Sequence, residues 1–430
     1  MGQRSLHVLV VDDTVVYRRV LQNVVAEIPW AEVVGIAANG RIALDKLEQI
    51  DVDFVLLDVE MPELDGIETL REIRQRWPGI GVVLLSGGDR RAADMTMRAL
   101  ELGALDFVAK ADTGDVQRNH RQLVGQLTAI MRAFEVARSL SGGERNVSRL
   151  GASASAPAAS TVDRMQRLRE IASPSKSDPS GLAKLEKRGN VLGEISLHAR
   201  SSAGWAIAPA AAGPVASGRE LGRSAIEVVL IGCSTGGPQA LARIIPQLPG
   251  DLGVPVLVVQ HMPPVFTASL AESLNRESKL RVSEAVDNQL IVPNTVLIAP
   301  GGRHMGVKLD KGRGEKRVAL SDDPLVNSVR PAADVLFLSA ASVYGGATLS
   351  LVLTGMGEDG LEGVRSLRAC GGQTLTQNAA SCVVYGMPRA IEKAGLSDES
   401  VPLDDLASRL SLLVRQYSIG RGGSAKTGAV

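Results

Sequence analysis

Residues 226–240 read IEVVLIGCSTGGPQA. An apolar run ends without a polar buffer in Gly232, Ser234, Gly236 and Gly237. A short apolar run broken by glycines is the pattern of a buried parallel strand that turns sharply into a helix. Glycine suits such a turn because it tolerates positive φ and close backbone approach. The same pattern also suits a nucleophile elbow, which lifts a serine Oγ clear of the sheet edge beside free amides at a helix N-terminus. Gly232-Cys233-Ser234-Thr235-Gly236 fits G-x-S-x-G. So short a motif recurs by chance, and the serine needs a base and an orienter elsewhere in the chain.

The strand-then-helix rhythm around this stretch recurs in two blocks. From residue 6 to about 135, LHVLVV, VVGIA, DFVLLD, GVVLLS and DFVAK alternate with amphipathic segments such as IETLREIRQRW. Apolar runs separated by helix-length stretches indicate parallel strands covered by helices on both faces. The first domain is therefore expected over 1–135 as a doubly wound α/β unit. Residues 136–224 are rich in Ala, Ser, Gly and Pro, as in GASASAPAAS and APAAAGPVASG. Such a composition buries too little apolar surface to offset backbone entropy, so a long, largely disordered linker is expected, with a short helix suggested at VDRMQRLREIA. Alternation resumes over 225–415 with IEVVLI, PVLVVQ, TVLIA, LSLVLT and SCVVYG, a second α/β domain, and 416–430 reads as a flexible tail.

Composition narrows the function classes. Among 430 residues, Lys+Arg and Asp+Glu balance at 47 each, which gives no global argument for nucleic acid or an anionic membrane as partner. Cys233, Cys370 and Cys382 match no disulfide framework or zinc spacing, in keeping with a reducing compartment. The N-terminal MGQRSLHVLVVDD lacks the long apolar core of a signal peptide, and no apolar stretch is long enough to cross a bilayer. The expectation is a cytoplasmic protein that neither inserts in a membrane nor binds nucleic acid.

In a parallel α/β sheet, functional groups gather at the carboxyl ends of strands. Asp12 and Asp13 follow the first strand of the N-terminal block, Asp58 the third, Ser86 the fourth and Lys110 the fifth. A lone aspartate there is usually a helix cap. Three carboxylates at one edge repel one another unless a cation sits among them, and Mg²⁺ suits a few carboxylates plus phosphate oxygens. The set resembles the receiver domains of two-component response regulators, a flavodoxin-like fold. That resemblance implies Asp58 as phosphoacceptor, Mg²⁺ held by Asp12, Asp13, Asp58 and the carbonyl of Glu60, and Lys110 as phosphoryl clamp. It also implies Ser86 as the mobile hydroxyl and Phe107 as the aromatic switch. Ala111 departs from the pattern, in which a proline usually follows the lysine.

Of five histidines, His261 and His304 lie in the second domain. His261 directly follows PVLVVQ, a strand end like that of Ser234, whereas His304 lies past a loop and reads as a substrate-edge or structural residue. LSLVLTGMGEDG ends another strand in a Gly-rich loop carrying Glu358 and Asp359. Three strand ends thus bring a serine, a histidine and an acid to one rim, the set acyl transfer requires. The order Ser, His, acid differs from the Ser, acid, His of α/β-hydrolases. Cys233, beside a better placed serine, reads as a small buried residue.

IGCSTGGPQAL, QHMPPVFTASLAESL, APGGRHM, RPAADVLFLSAA, LTGMGEDGLEG and SCVVYGMPRA together resemble the catalytic domain of the CheB family, the chemotaxis protein-glutamate methylesterases, with a Rossmann-like fold. The resemblance selects Asp359 over Glu358 as triad acid and implies supporting roles for Thr235 and the amide of Met356. It implies hydrolysis of glutamate methyl esters on methyl-accepting chemoreceptors, with release of methanol, and deamidation of certain receptor glutamines. It also implies phosphorylation by the chemotaxis histidine kinase, Mg²⁺ for that step alone, no cofactor for the esterase, and an unphosphorylated receiver packed over the esterase cleft. Two rivals fit the sequence less well. A non-enzymatic regulator that binds nucleic acid would need a basic stripe or helix-turn-helix, and a nucleotide site at GCSTGG would need a P-loop G-K-[ST].

Overall fold

A computed structural model describes residues 5–110, 116–141 and 225–418. The expected linker beyond residue 141, its suggested helix at 162–172, His198, Ala111 and the tail beyond 418 lie outside the described residues.

The N-terminal domain is a five-stranded parallel sheet of β1 (Leu6–Val11), β2 (Ala31–Ala37), β3 (Phe54–Asp58), β4 (Gly81–Ser86) and β5 (Asp106–Ala109), in the order β2-β1-β3-β4-β5. Its central strands are fully buried because helices cover both faces, which is why they read as continuous apolar runs. The helices are α1 (Val15–Ala26), α2 (Gly40–Gln49), α3 (Gly66–Arg76), α4 (Arg90–Glu101) and α5 (Val116–Ser141). Asn39, Asp65 and Asp89 cap α2, α3 and α4, each side chain accepting from an amide in the first turn. Helix α5 carries past residue 135, where the linker was expected to begin.

The C-terminal domain is a seven-stranded parallel sheet in the order β14-β13-β12-β6-β7-β9-β8. Its strands are β6 (Val228–Cys233), β7 (Val256–Gln260), β8 (Arg281–Glu284), β9 (Thr295–Ile298), β12 (Thr348–Val352), β13 (Gln373–Gln377) and β14 (Glu399–Val401). The antiparallel hairpin of β10 (His304–Asp310) and β11 (Glu315–Ser321) is separate. Helices α6 (Gly237–Ile244), α7 (Phe266–Glu277), α8 (Ala333–Tyr344), α9 (Leu361–Ala369), α10 (Met387–Lys393) and α11 (Leu403–Ser418) complete the layers. Strands β6, β7 and β12 are neighbours, so their carboxyl ends open onto one edge.

One expected strand is absent and an unexpected one replaces it. SCVVYG, 381–386, is a loop, and the strand beside β12 is QTLTQ. Strand β13 has no apolar run because its buried polar side chains are satisfied inside the sheet layer. Thr374 Oγ1 meets Ser350 Oγ at 2.8 Å, Thr376 Oγ1 donates to Glu392, and Gln377 Oε1 accepts from Thr354 N at 2.9 Å. Burial without apolarity is stable when every polar group finds a partner. The apolar residues of SCVVYG instead buttress the loop after β12, where Gly355 N donates to Val384 O and Val384 N to Thr354 Oγ1, both at 2.9 Å.

Helix α8 packs between β6 and α9. A Cβ on Gly363 would lie 2.4 Å from Phe337 Cβ, and one on Gly232 would lie 2.9 Å from Ala333 Cβ. Gly363→Ala therefore overpacks this seam and should cost about 1–3 kcal/mol, read as a lower denaturant midpoint for the C-terminal domain.

Candidate functional site

Each glycine around Ser234 answers a contact. Gly236 caps α6 in the left-handed region at φ 76°, where a Cβ would come 2.5 Å from Val383 Cβ. A Cβ at Gly237 would overlap Gln260 Oε1, and one at Gly355 would press on Ser234 Cβ at 2.8 Å. The turn is held by Ser234 N donating to Thr354 O at 3.0 Å and Gly237 N to Ser234 O at 2.7 Å. Gln260 Nε2 also donates to Ser234 O, at 3.0 Å. The result is a half-buried serine on a fixed strand-to-helix corner.

His261 continues β7 and donates its amide to Cys233 O at 3.1 Å, tying the histidine and serine turns together. Its Nε2 lies 2.7 Å from Asp359 Oδ2. Among the described residues Ser234 Oγ makes no hydrogen bond to the ring. Asp359, 3% exposed, sits at the N-terminus of α8, whose N-cap residue Ala332 offers no side-chain cap. Ala333 N donates to Asp359 Oδ2 at 2.6 Å and Asp334 N to Oδ1 at 3.2 Å, so the carboxylate takes the role of a cap. Asn327 Nδ2 adds a bond to Oδ1 at 2.9 Å. Burial pushes this carboxyl up, but the bonds from His261, Ala333 N and Asn327 outweigh it and hold the group below its ordinary value. Glu358, the other acid of the loop, is exposed.

The supporting positions line the same rim. Thr235 O accepts from Thr354 Oγ1 at 2.9 Å, and Met356 is 47% exposed on the loop after β12. His304 is a structural residue: Ala332 N donates to its Nδ1 at 3.2 Å and its Nε2 reaches Pro324 O at 3.1 Å, pinning the loop that enters α8. Cys233 is fully buried, and burial raises its thiol far above the range in which a thiolate could act.

At the other sheet edge, Lys110 Nζ lies 2.7 Å from both Asp12 Oδ2 and Asp58 Oδ2. Oxygens of Asp12, Asp13 and Asp58 come within 4.8 Å of one another, a donor set that suits a small, hard divalent cation. Burial drives Asp58 up to about 6 against the pull of Lys110, with the Asp12 charge adding to the rise. Beside it opens a cleft of about 270 Å³ lined by Asp13, Glu60, Met61, Asp65, Arg91 and Met95. Ser86 Oγ is buried and faces α4, accepting from Thr96 Oγ1 at 2.7 Å.

Phe107 does not stay within its own domain. It stacks on Phe266 of α7, ring centroids 4.7 Å apart. Next to it, Asp106 Oδ2 accepts from Gly236 N at 3.0 Å while Oδ1 accepts from Phe107 N at 2.8 Å. Gln239 Nε2 donates to Ala104 O, Ser273 Oγ to Glu101, and Arg90 pairs with Glu272. Burial raises Asp106 to about 7 against the two amide bonds. Sequence reasoning missed Asp106, Asn327, Asp334 and Gln260. Only Asp106 and Gln260 carried a signal, since each is polar beside a residue already singled out.

Residues 8–118 match the response regulator receiver domain model and 229–410 the CheB methylesterase model. The chain is 37% identical over 414 residues to a protein-glutamate methylesterase/protein-glutamine glutaminase of Desulfotalea psychrophila, covering 96% of this chain and 100% of that one. It is 40% identical to the similarly named protein of Symbiobacterium thermophilum, covering 96% and 98%. The crystal structure of the Thermotoga maritima CheB methylesterase catalytic domain shares 41% identity, with a TM-score of 0.43, over 44% of this chain and 99% of that one. Similarity over 96% of the chain to the Desulfotalea psychrophila and Symbiobacterium thermophilum proteins, together with the two domain matches, makes this chain a member of the CheB methylesterase family with an N-terminal receiver.

Proposed function

We propose that this chain is a phosphorylation-regulated hydrolase of chemosensory adaptation, removing methyl groups from glutamate methyl esters of methyl-accepting chemoreceptors and deamidating receptor glutamines. The observation that carries the reading is the convergence of Ser234, His261 and Asp359 on one sheet edge in a chain similar along its length to methylesterases.

Ser234 Oγ attacks the γ-carbonyl of the esterified glutamate while His261 takes its proton. Because Nε2 faces Asp359, Nδ1 is the ring nitrogen that serves as base. The charge that develops on the carbonyl oxygen is stabilised by amides of the elbow and of Met356, with Thr235 supporting the turn. The protonated imidazole then delivers its proton to the leaving methoxide, and methanol departs. His261 next deprotonates water, which cleaves the acyl-enzyme to glutamate and free Ser234. For a glutamine side chain the leaving group is ammonia. These steps use side chains and amides alone.

In the receiver, Asp58 accepts a phosphoryl group from the chemotaxis histidine kinase. Asp12, Asp13, Asp58 and the Glu60 carbonyl would hold Mg²⁺, which neutralises charge during that transfer. Lys110 then pairs with the phosphoryl oxygens, Ser86 turns from α4 toward them, and Phe107 leaves its stack on Phe266. A cytoplasmic location follows from this partner set. No described helix is long and apolar enough to cross a membrane.

With methylated receptor membranes as substrate, Ser234→Ala should lower methanol release by roughly 10³-fold or more. Acetyl phosphate should raise the wild-type rate and leave Asp58→Asn unchanged. A folded, phosphorylated wild type that releases no methanol would sink the esterase reading.

Asp106, at the interdomain contact, makes the fold pH-sensitive. Burial raises its carboxyl from an ordinary 3.8 to about 7, against the bonds from Phe107 N and Gly236 N, so folding takes up a proton between these values. Its contribution is fully present below 3.8 and lost as pH rises through about 7. The denaturant midpoint of the unphosphorylated protein should fall from pH 5 to pH 7 and level off above. Asp106→Ala should flatten that dependence and raise basal esterase activity several-fold.

A further inference from the structure

The acid of the triad does not stand alone. Asp334, in the first turn of α8 and 5% exposed, places a second buried carboxylate beside Asp359. Two such groups repel, and each raises the cost of charging the other. One side chain bridges them: Asn327 Nδ2 lies 2.9 Å from Asp334 Oδ2 and 2.9 Å from Asp359 Oδ1. An amide nitrogen carries two hydrogens, so one side chain serves both carboxylates. Asp334 Oδ1 is taken by Gly363 N at 2.8 Å, which anchors that carboxylate to α9 and leaves Oδ2 for the bridge.

The local backbone is built for this reach. Asn327 and Ser328 are both left-handed, at φ 52° and 65°, in the loop between β11 and α8. Asparagine tolerates that region better than most side chains. Val326 and Val329 bond to each other across the turn, Arg330 Nη1 donates to Asp322 O and Asp323 O, and His304 holds Pro324 and Ala332. The loop is thus tied at several points apart from the triad, with Asn327 in its left-handed turn.

We propose that Asn327 is a positioning residue for the esterase, acting through Asp359: it neutralises the repulsion between Asp334 and Asp359 and fixes the carboxylate plane that orients His261. The assignment rests on the esterase reading of the site. The charged groups around the cluster are His261 on the rim, Asp334 of α8, Glu362 of α9, and His304, Asp323 and Arg330 beside the loop.

Two substitutions separate this role from mere turn-building. Asn327→Gly accepts the left-handed backbone and removes the amide. Asn327→Asp keeps size and turn preference and replaces the donor with a third carboxylate. Loss of a hydrogen bond to a charged group should lower kcat roughly 10-fold or more in Asn327→Gly, with KM for the receptor unchanged. Removing the donor leaves more negative charge facing His261, so its imidazole should titrate higher and the acid limb of the rate profile move to higher pH. Both effects should be larger in Asn327→Asp. A residue needed only for the turn would tolerate Asp and leave the titration in place.

The titration is read by NMR of ring-labelled histidines in the full-length protein, with His261→Ala giving the assignment, and needs no substrate. If His261 titrates at the wild-type position in both variants, or Asn327→Asp keeps wild-type kcat and acid limb, the proposal is wrong. A titration that moves as expected in a protein whose wild type releases no methanol would overturn the esterase reading and retain the positioning role.

Discussion

The Asp359 carboxylate is the point on which the catalytic half depends, because it meets two demands at once. It accepts from Ala333 N and Asp334 N, the first amides of α8, whose N-cap residue supplies nothing. It also meets His261 Nε2. A buried carboxylate is costly unless its oxygens are saturated. The helix amides and Asn327 provide that saturation on one side, so the charge stays available to the imidazole on the other. Helix α8 then packs by Phe337 against Gly232 of β6 and Gly363 of α9, so the acid, the nucleophile strand and the helix share one rigid seam. Loss of the Asp359 charge would therefore disturb packing as well as chemistry.

What the sequence revealed follows from where the information lies. Ser234 and His261 were legible because each ends an apolar strand of a parallel sheet, and strand ends of neighbouring strands converge. The five receiver positions were legible for the same reason. Glu358 and Asp359 are adjacent, and no spacing argument separates them. Only family resemblance favoured Asp359, which in the structure is the one that faces the ring. Strand β13 escaped because QTLTQ buries polar groups that satisfy each other, whereas SCVVYG has the composition of a strand and the role of a buttress. Asn327 and Asp334 were illegible for a deeper reason. Their roles arise when a loop tip, a helix start and a strand-end loop meet, and no local pattern records that meeting.

The receiver contact shows a division within the catalytic site. Among the described residues, the interdomain hydrogen bonds and ion pairs reach Gly236 and Gln239 at the start of α6, and Glu272, Ser273 and Arg276 on α7. Phe266, which meets Phe107, opens α7 just after the His261 loop. Each of these elements follows directly from the serine or the histidine. The Asp359 loop and the Asn327 turn take no part in those bonds.

Asp359 is thus set by contacts within the C-terminal domain, whereas Ser234 and His261 stand beside elements that the receiver contacts. A receiver that acted only as a plug would need surface over the cleft and no bond to the elbow. Asp106 instead bonds a backbone amide two residues from Ser234, at the glycine that turns the strand into the helix, and so helps fix that corner's geometry. Ser234 Oγ lacks a hydrogen bond to His261 in this docked arrangement, while His261 and Asp359 are already joined. In the proposed mechanism, withdrawal of Phe107 and Asp106 on phosphorylation frees the elbow and the start of α7 together. The Ser234–His261 link would join the two elements the receiver holds, while His261 is already bonded to Asp359.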